Sequence, residues 1–137
     1  MIGLERYFEI PYLGGGRSVK GVDCYGLVCL FYKDVFKIEL DLFEGLDGAL
    51  EVDGSDRGIM RVWSDRIVSE WVLVKAEDAR FGDVLDLRVL GRPHCGVWLE
   101  PEKMMHAKHG FGVSIASTAR GAYGRITKGI YRHWTKI

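Results

Sequence analysis

The sequence has no net charge to spare, with nineteen Lys and Arg standing against nineteen Asp and Glu. So balanced a chain has no global field to hold it on nucleic acid or on an anionic membrane, and any recognition by charge is local. No apolar run approaches the ~18 residues of a membrane-spanning helix, so no span is expected. The start, Met1-Ile2-Gly3-Leu4-Glu5-Arg6-Tyr7-Phe8-Glu9, has neither the basic stretch nor the long apolar run of an export signal, and synthesis in the cytoplasm is the expectation. Cysteine is scarce and odd in number: Cys24, Cys29 and Cys95 suit reduced thiols better than a disulfide framework. Gly14-Gly15-Gly16 opens neither a G-x-x-x-x-G-K-[ST] nor a G-x-G-x-x-G pattern, which leaves a nucleotide site without support.

What is present points to one α+β domain, residues 1–137. At 137 residues and 47% apolar composition the chain is long enough to bury a core. Eighteen glycines argue for tight turns and close backbone approaches instead of a helical bundle. A short helix is expected around Leu4–Glu9, ended by Pro11. Asp23 is a good N-cap, and Cys24, Leu27, Val28, Phe31 and Val35 fall on one helical stripe, predicting a helix over 24–37. Cys29 points about 140° away from Cys24 on that helix, cannot pair with it, and reads as packing. Ser55 caps a second expected helix, with Met60, Trp63, Ile67 and Trp71 as its apolar stripe, before a turn at 76–82. Strands are then predicted at Leu85–Val89, Pro93–Glu100, Lys103–Lys108, Gly112–Ser117 and Lys128–His133, separated by Gly- or Pro-marked turns. Charge is sorted along this order. Glu39, Asp41, Glu44, Asp47, Glu51, Asp53 and Asp56 form an acidic segment, whose spacing does not fit a calcium loop, and from Lys103 onward every charged side chain is basic.

A thiol in the first turn of a helix meets unpaired N–H groups and the helix dipole, which favour the thiolate. Cys24 stands there. Taken alone, a cysteine on a helix stripe is more often a core residue, so the chemical reading needs a base. His94 supplies a candidate, on a strand that turns His94, Gly96 and Trp98 to one face and Cys95, Val97 and Leu99 to the other. His106 follows on the next strand, where hairpin pairing brings it beside His94 to fix its tautomer. Cys24, His94, Cys95, His106 and His109 also count as zinc-ligand types, but adjacent residues of one strand face opposite ways and no C-x-x-C is present. His109 and His133 read as surface or turn residues.

Pro11-Tyr12, Gly14-Gly15, Gly21-Val22-Asp23-Cys24-Tyr25-Gly26-Leu27-Val28, Gly82-Asp83-Val84 and His94-Cys95-Gly96-Val97-Trp98-Leu99, followed by His106-Ala107, resemble the NlpC family of cysteine peptidases nearly end to end. The resemblance implies a papain-like fold, with the nucleophile helix packed on a small antiparallel sheet. It also implies Cys24 as nucleophile, His94 as general base, His106 as the group orienting it, and Tyr12 as a donor to the oxyanion. Neither metal nor cofactor is implied. The implied substrate is peptidoglycan stem peptide, commonly cut after γ-D-glutamate. Two residues depart from the pattern: Tyr25 takes a place where many wall enzymes have serine, and Cys95 one where valine is commoner. The aromatic after the cysteine and the long insert before Gly82-Asp83 are closer to the branch found among phage tail proteins. That branch implies a virion tail-tip location, with tail-hub or tail-tip partners and action in the periplasm or wall. A structural tail-tip subunit without activity, or an acyltransferase on the same scaffold, are the rival expectations.

Overall fold

The computed structural model describes residues 3–42, 70–89, 92–118 and 127–136. The N-terminal turn is a tight 3-10 helix, Glu5–Glu9, whose last N–H bonds are closed by Ile10 donating to the Tyr7 carbonyl. A two-residue hairpin, β1 (Arg17–Ser18) and β2 (Gly21–Val22), then leads into α1 (Cys24–Phe31). Asp23 caps α1 as the sequence predicts, its side chain accepting the Gly26 N–H at 2.7 Å. Seven of the eight α1 residues are buried, because the helix fills the layer between the N-terminal segments and the sheet. Past Phe31 the winding widens into a π-helical turn, Tyr32–Phe36, which stops at Lys37 in the left-handed region. The predicted 24–37 helix is therefore helical almost throughout, but only its first two turns are α.

Strands β3 (Trp71–Val74), β4 (Val84–Val89), β5 (Arg92–Glu100), β6 (Lys103–Lys108), β7 (Gly112–Ser117) and β8 (Thr127–His133) form one antiparallel sheet in the order β3-β8-β4-β5-β6-β7. The bounds of β6 and β7 are those expected, and β4, β5 and β8 each begin one residue earlier. Trp71 corrects an expectation. It does not end a helix but starts β3, opposite His133, because Trp71-Val72-Leu73-Val74 is a β-branched and aromatic run that completes the ladder with β8. The rest of that expected helix, with Ser55, Met60, Trp63 and Ile67, lies outside the described residues, as does most of the acidic segment.

Alternation along β5 and β6 divides the core. Cys95, Val97, Met105 and Ala107 pack with α1, whereas Met104, Leu85, Leu87 and Ile130 form a second cluster with Trp98 on the opposite face. The molecule is thus the α+β arrangement expected: an N-terminal helix, cysteine first, laid on an antiparallel sheet whose central strands carry both histidines.

Candidate active site

Cys24 is the first residue of α1, and four groups fix the backbone around it. The Asp23 carboxylate accepts N–H bonds from Gly15 (2.9 Å) and Gly26 (2.7 Å) and pairs with Arg17 Nη1 at 2.8 Å. Gly26 lets the first turn of the helix dock on the preceding loop, since a Cβ there would strike the Gly16 carbonyl. Burial, and next the nearby Cys24 charge, push the Asp23 carboxyl up to about 6.

The Cys24 thiol is buried, with 4% of the residue exposed. Its pKa is held well below the ordinary thiol value by a hydrogen bond from the Cys95 thiol and by His94, which together outweigh burial. Cys95 moves the opposite way, well above, because it donates that bond and is itself buried. The two sulfurs therefore share out their roles as thiolate and donor. Strand alternation does sort Cys95 and His94 to different faces, yet both favour the charge on the one sulfur. Cys95 as a partner of Cys24 is what sequence reasoning missed. The signal was there, in a third cysteine adjacent to the candidate base.

His94 Nε2 lies 2.8 Å from His106 Nδ1, with the rings edge to face. Hairpin pairing of β5 with β6 brings them together, and Gly96 keeps the space clear: a Cβ there would sit 2.8 Å from Met104 Sδ and 3.6 Å from His106 Cβ. Burial, then the charges of His94 and Lys108, lower the His106 pKa to about 4, so this ring is neutral at pH 7. One of the two facing nitrogens donates and the other accepts. With His106 Nδ1 accepting, His94 carries its proton on Nε2 and leaves Nδ1 unprotonated for the thiol.

Tyr12 is brought to the same end of the molecule by a bridge to Val22, two residues ahead of Cys24, and its ring meets His109 edge-on at 5.2 Å. His109 is an exposed turn residue, as expected. His133 is not a surface residue: only 6% exposed, it packs against Trp71 and Tyr32, because β8 lies inside the sheet between β3 and β4. Cys29 is a packing residue, as its helical position implies, buried near the Asp41 carbonyl with its thiol pushed up to about 12 by burial. Tyr25 is also buried, and its hydroxyl donates to that carbonyl at 2.7 Å, so it ties the start of the acidic segment to α1. Among the described residues, no group of three or more His, Cys, Asp or Glu is placed to hold a metal ion.

The family model described as NlpC/P60 family matches residues 9–132. Among solved structures, the chain is similar to the NlpC/p60 domain of the peptidoglycan hydrolase SagA, with 19% identity and a TM-score of 0.59, covering 93% of this chain and 91% of that one. It is also similar to an NlpC/P60 family protein of Bacillus cereus (22%, TM-score 0.61, 90% of this chain and 35% of that one). A third likeness is to a lipoprotein-like NLP/P60 family protein of Staphylococcus aureus (22%, TM-score 0.62, 93% of this chain and 37% of that one). Identities this low show a shared fold. No curated protein matches the chain. A match over most of the sequence, together with a helix-borne thiol facing a hydrogen-bonded histidine pair, places this chain in the NlpC/P60 family, with the Cys and His arrangement of its cysteine hydrolases.

Proposed function

We propose that the protein hydrolyses amide bonds in peptidoglycan stem peptides, with Cys24 as nucleophile, His94 as general base, His106 as the orienting group and Tyr12 as a second donor to the oxyanion. The observation that carries this reading is the 2.8 Å contact between His94 Nε2 and His106 Nδ1 beside a thiol whose ionised form is favoured. His94 takes the Cys24 proton, the thiolate adds to the amide carbon, and the developing oxyanion is met by the Cys24 N–H and the Tyr12 hydroxyl. The imidazolium then returns its proton to the leaving amine, and a water activated by His94 clears the thioester. Family membership and the likeness to a structure described as a peptidoglycan hydrolase support the substrate class.

The natural setting we propose is a phage tail tip, which carries the domain to the wall, with tail-hub proteins as partners. The support is in the sequence, in Tyr25 after the nucleophile and the long stretch between α1 and Gly82-Asp83. Immunodetection of the chain in purified tails tests that setting separately from the chemistry.

Incubation of the pure protein with defined peptidoglycan fragments, followed by mass analysis, tests the chemistry. Cys24→Ala is expected to abolish fragment release while leaving the fold intact, and equal release by both proteins would refute catalysis at this sulfur. His94→Ala is expected to slow release by roughly 10²–10⁴-fold, and His106→Ala by less, because an orienting group contributes less than the base. The reverse ranking would exchange their roles.

A further inference from the structure

The nitrogens of the Arg17 guanidinium are unequally used. Nε donates to the Leu42 carbonyl at 3.0 Å, and Nη1 serves the Gly16 carbonyl and the Asp23 carboxylate, each at 2.8 Å. Nη2 is buried with no hydrogen-bond partner among the described residues, in a side chain only 9% exposed. Water meets every such N–H group in the unfolded chain, so a buried donor left idle calls for an acceptor that the chain does not itself supply. Arg17 also lines a cavity of about 400 Å³, the size of a small-molecule site. Its walls are largely apolar, from Cys29 and Leu30 of α1 and from Leu40 and Leu42 beyond it. Cys29 and Leu30 point about 140° and about 120° away from Cys24, in opposite senses, so the cavity lies behind the helix. It shares no lining residue with the set of Cys24, His94, His106 and Tyr12.

We propose that this cavity binds a small carboxylate with an apolar body, whose oxygen accepts the bond that Arg17 has left to give. Charge selects the ligand. A guanidinium N–H bonds an anion more strongly than a neutral carbonyl, and Lys33 adds a second cation to the lining. Glu39 lines the cavity too and opposes a second negative charge, which favours a monocarboxylate over a phosphate. Leu30, Leu40 and Leu42 offer apolar surface to the rest of the ligand, so burial of its body adds to affinity. The same guanidinium holds Asp23, the N-cap of the helix that begins with Cys24, and so one side chain links the occupant to the catalytic end. The inference stands apart from the hydrolysis, because nothing in it uses the thiol.

The probes are hexanoate, hexanamide and acetate, titrated into the folded wild type while NMR follows the Leu30, Leu40 and Leu42 methyl signals and the Arg17 Nε–H signal. Hexanoate is expected to shift all of these saturably. Hexanamide, for want of charge, and acetate, for want of a body, are each expected to bind at least about tenfold more weakly. Leu30→Trp, which fills the cavity, is expected to abolish the shifts, and Cys24→Ala to leave them as they are. Hexanoate without a saturable shift would mean that water serves Arg17, and hexanamide binding as tightly as hexanoate would mean that only apolar shape is read. Either result overturns the proposal, as would shifts confined to Tyr12 and His106. Should Leu30→Trp not fold, the wild-type ranking of the three probes decides alone. A failure of peptidoglycan cleavage would count against the proposed reaction and leave this ranking unaffected.

Discussion

Asp83 and Asp23 are each buried against an arginine, and they are held in different ways. Asp83, ahead of β4, meets Arg132 through both oxygens, at 2.9 Å from Nε and 2.8 Å from Nη2, and also accepts the Arg80 N–H. That fork-on-fork pairing is the strong geometry for a guanidinium and a carboxylate, and it raises the Arg132 pKa above its ordinary value. Asp23, ahead of α1, meets Arg17 through one nitrogen only. Arg17 spends Nε on the Leu42 carbonyl and shares Nη1 with the Gly16 carbonyl, and its buried Nη2 has no partner among the described residues. The Asp83 pair joins β8 to the turn before β4 and serves the sheet. The Asp23 pair holds the helix start, and the sulfur with it, in place, and burial first, then repulsion by the Cys24 charge, disfavours its ionised state.

Making the same substitution at both aspartates breaks the comparison most sharply. Asp83→Asn leaves Arg132 buried without its countercharge, and a loss of ~3–5 kcal/mol is expected. At Asp23 the folded protein already disfavours the charge, by about 3 kcal/mol for a pKa moved from 3.8 to about 6. Asparagine keeps the cap on Gly26, so Asp23→Asn is expected to cost only about 1 kcal/mol. Denaturant unfolding of the two variants at pH 7 measures both. Equal losses would mean that the two pairs are alike after all.

The difference between these regions is also a difference in what the sequence reveals. The turns flanking β6 and β7 carry Pro101, Gly110 and Gly112, and the bounds of those strands are legible to the residue. Trp71 was not legible, because its spacing from Ile67 fits a helix and the strand it joins lies some sixty residues away. At the site, periodicity and capping indicate the Cys24 helix, and hairpin logic brings His106 to His94. Cys95 escaped, because alternation sorts residues to faces of a sheet and does not say where a helix terminus meets the strand. Arg17 escaped too. Its pairing with Asp23 depends on the fold of the glycine loop between them, which no local pattern encodes.

Acid should sharpen the comparison, because His106 and Asp23, whose ionised forms are disfavoured, both lie at the catalytic end. The His106 pKa falls from 6.5 in the unfolded chain to about 4 in the fold. Below pH 6.5 the unfolded chain takes up a proton that the fold does not, so this group's contribution is full above 6.5 and is lost as the pH falls towards 4. Asp23 acts in the opposite sense: its raised pKa favours the fold below 3.8, and that advantage is lost as the pH rises through about 6. The two partly cancel in the wild type. Comparing His106→Asn with wild type isolates the first: on going from pH 7 to 4.5 the variant is expected to lose about 2–3 kcal/mol less stability. Parallel curves for the two proteins would show that His106 titrates normally in the fold.

The smallest expected effect concerns reactivity. The Cys24 charge pushes the Asp23 carboxyl up, and because an electrostatic coupling is mutual, the Asp23 charge must push the Cys24 thiol up as well. Asp23→Asn removes that repulsion and keeps the cap and the Arg17 charge, so the pH profile of Cys24 alkylation by iodoacetamide is expected to shift to lower pH. Asp83→Asn, studied where it remains folded, should leave the profile in place, because Asp83 belongs to the pair that serves the sheet. A lower thiol pKa is not a gain in catalysis. Nucleophilicity falls with basicity, with a Brønsted slope of about 0.4–0.5, and the wild-type thiol pKa already lies well below its ordinary value. Hydrolysis by Asp23→Asn is therefore expected to be unchanged or slightly slower although its thiolate is more populated. A faster enzyme would mean that ionisation of Cys24 limits the reaction, and an unmoved alkylation profile would mean that Asp23 acts on the helix backbone alone.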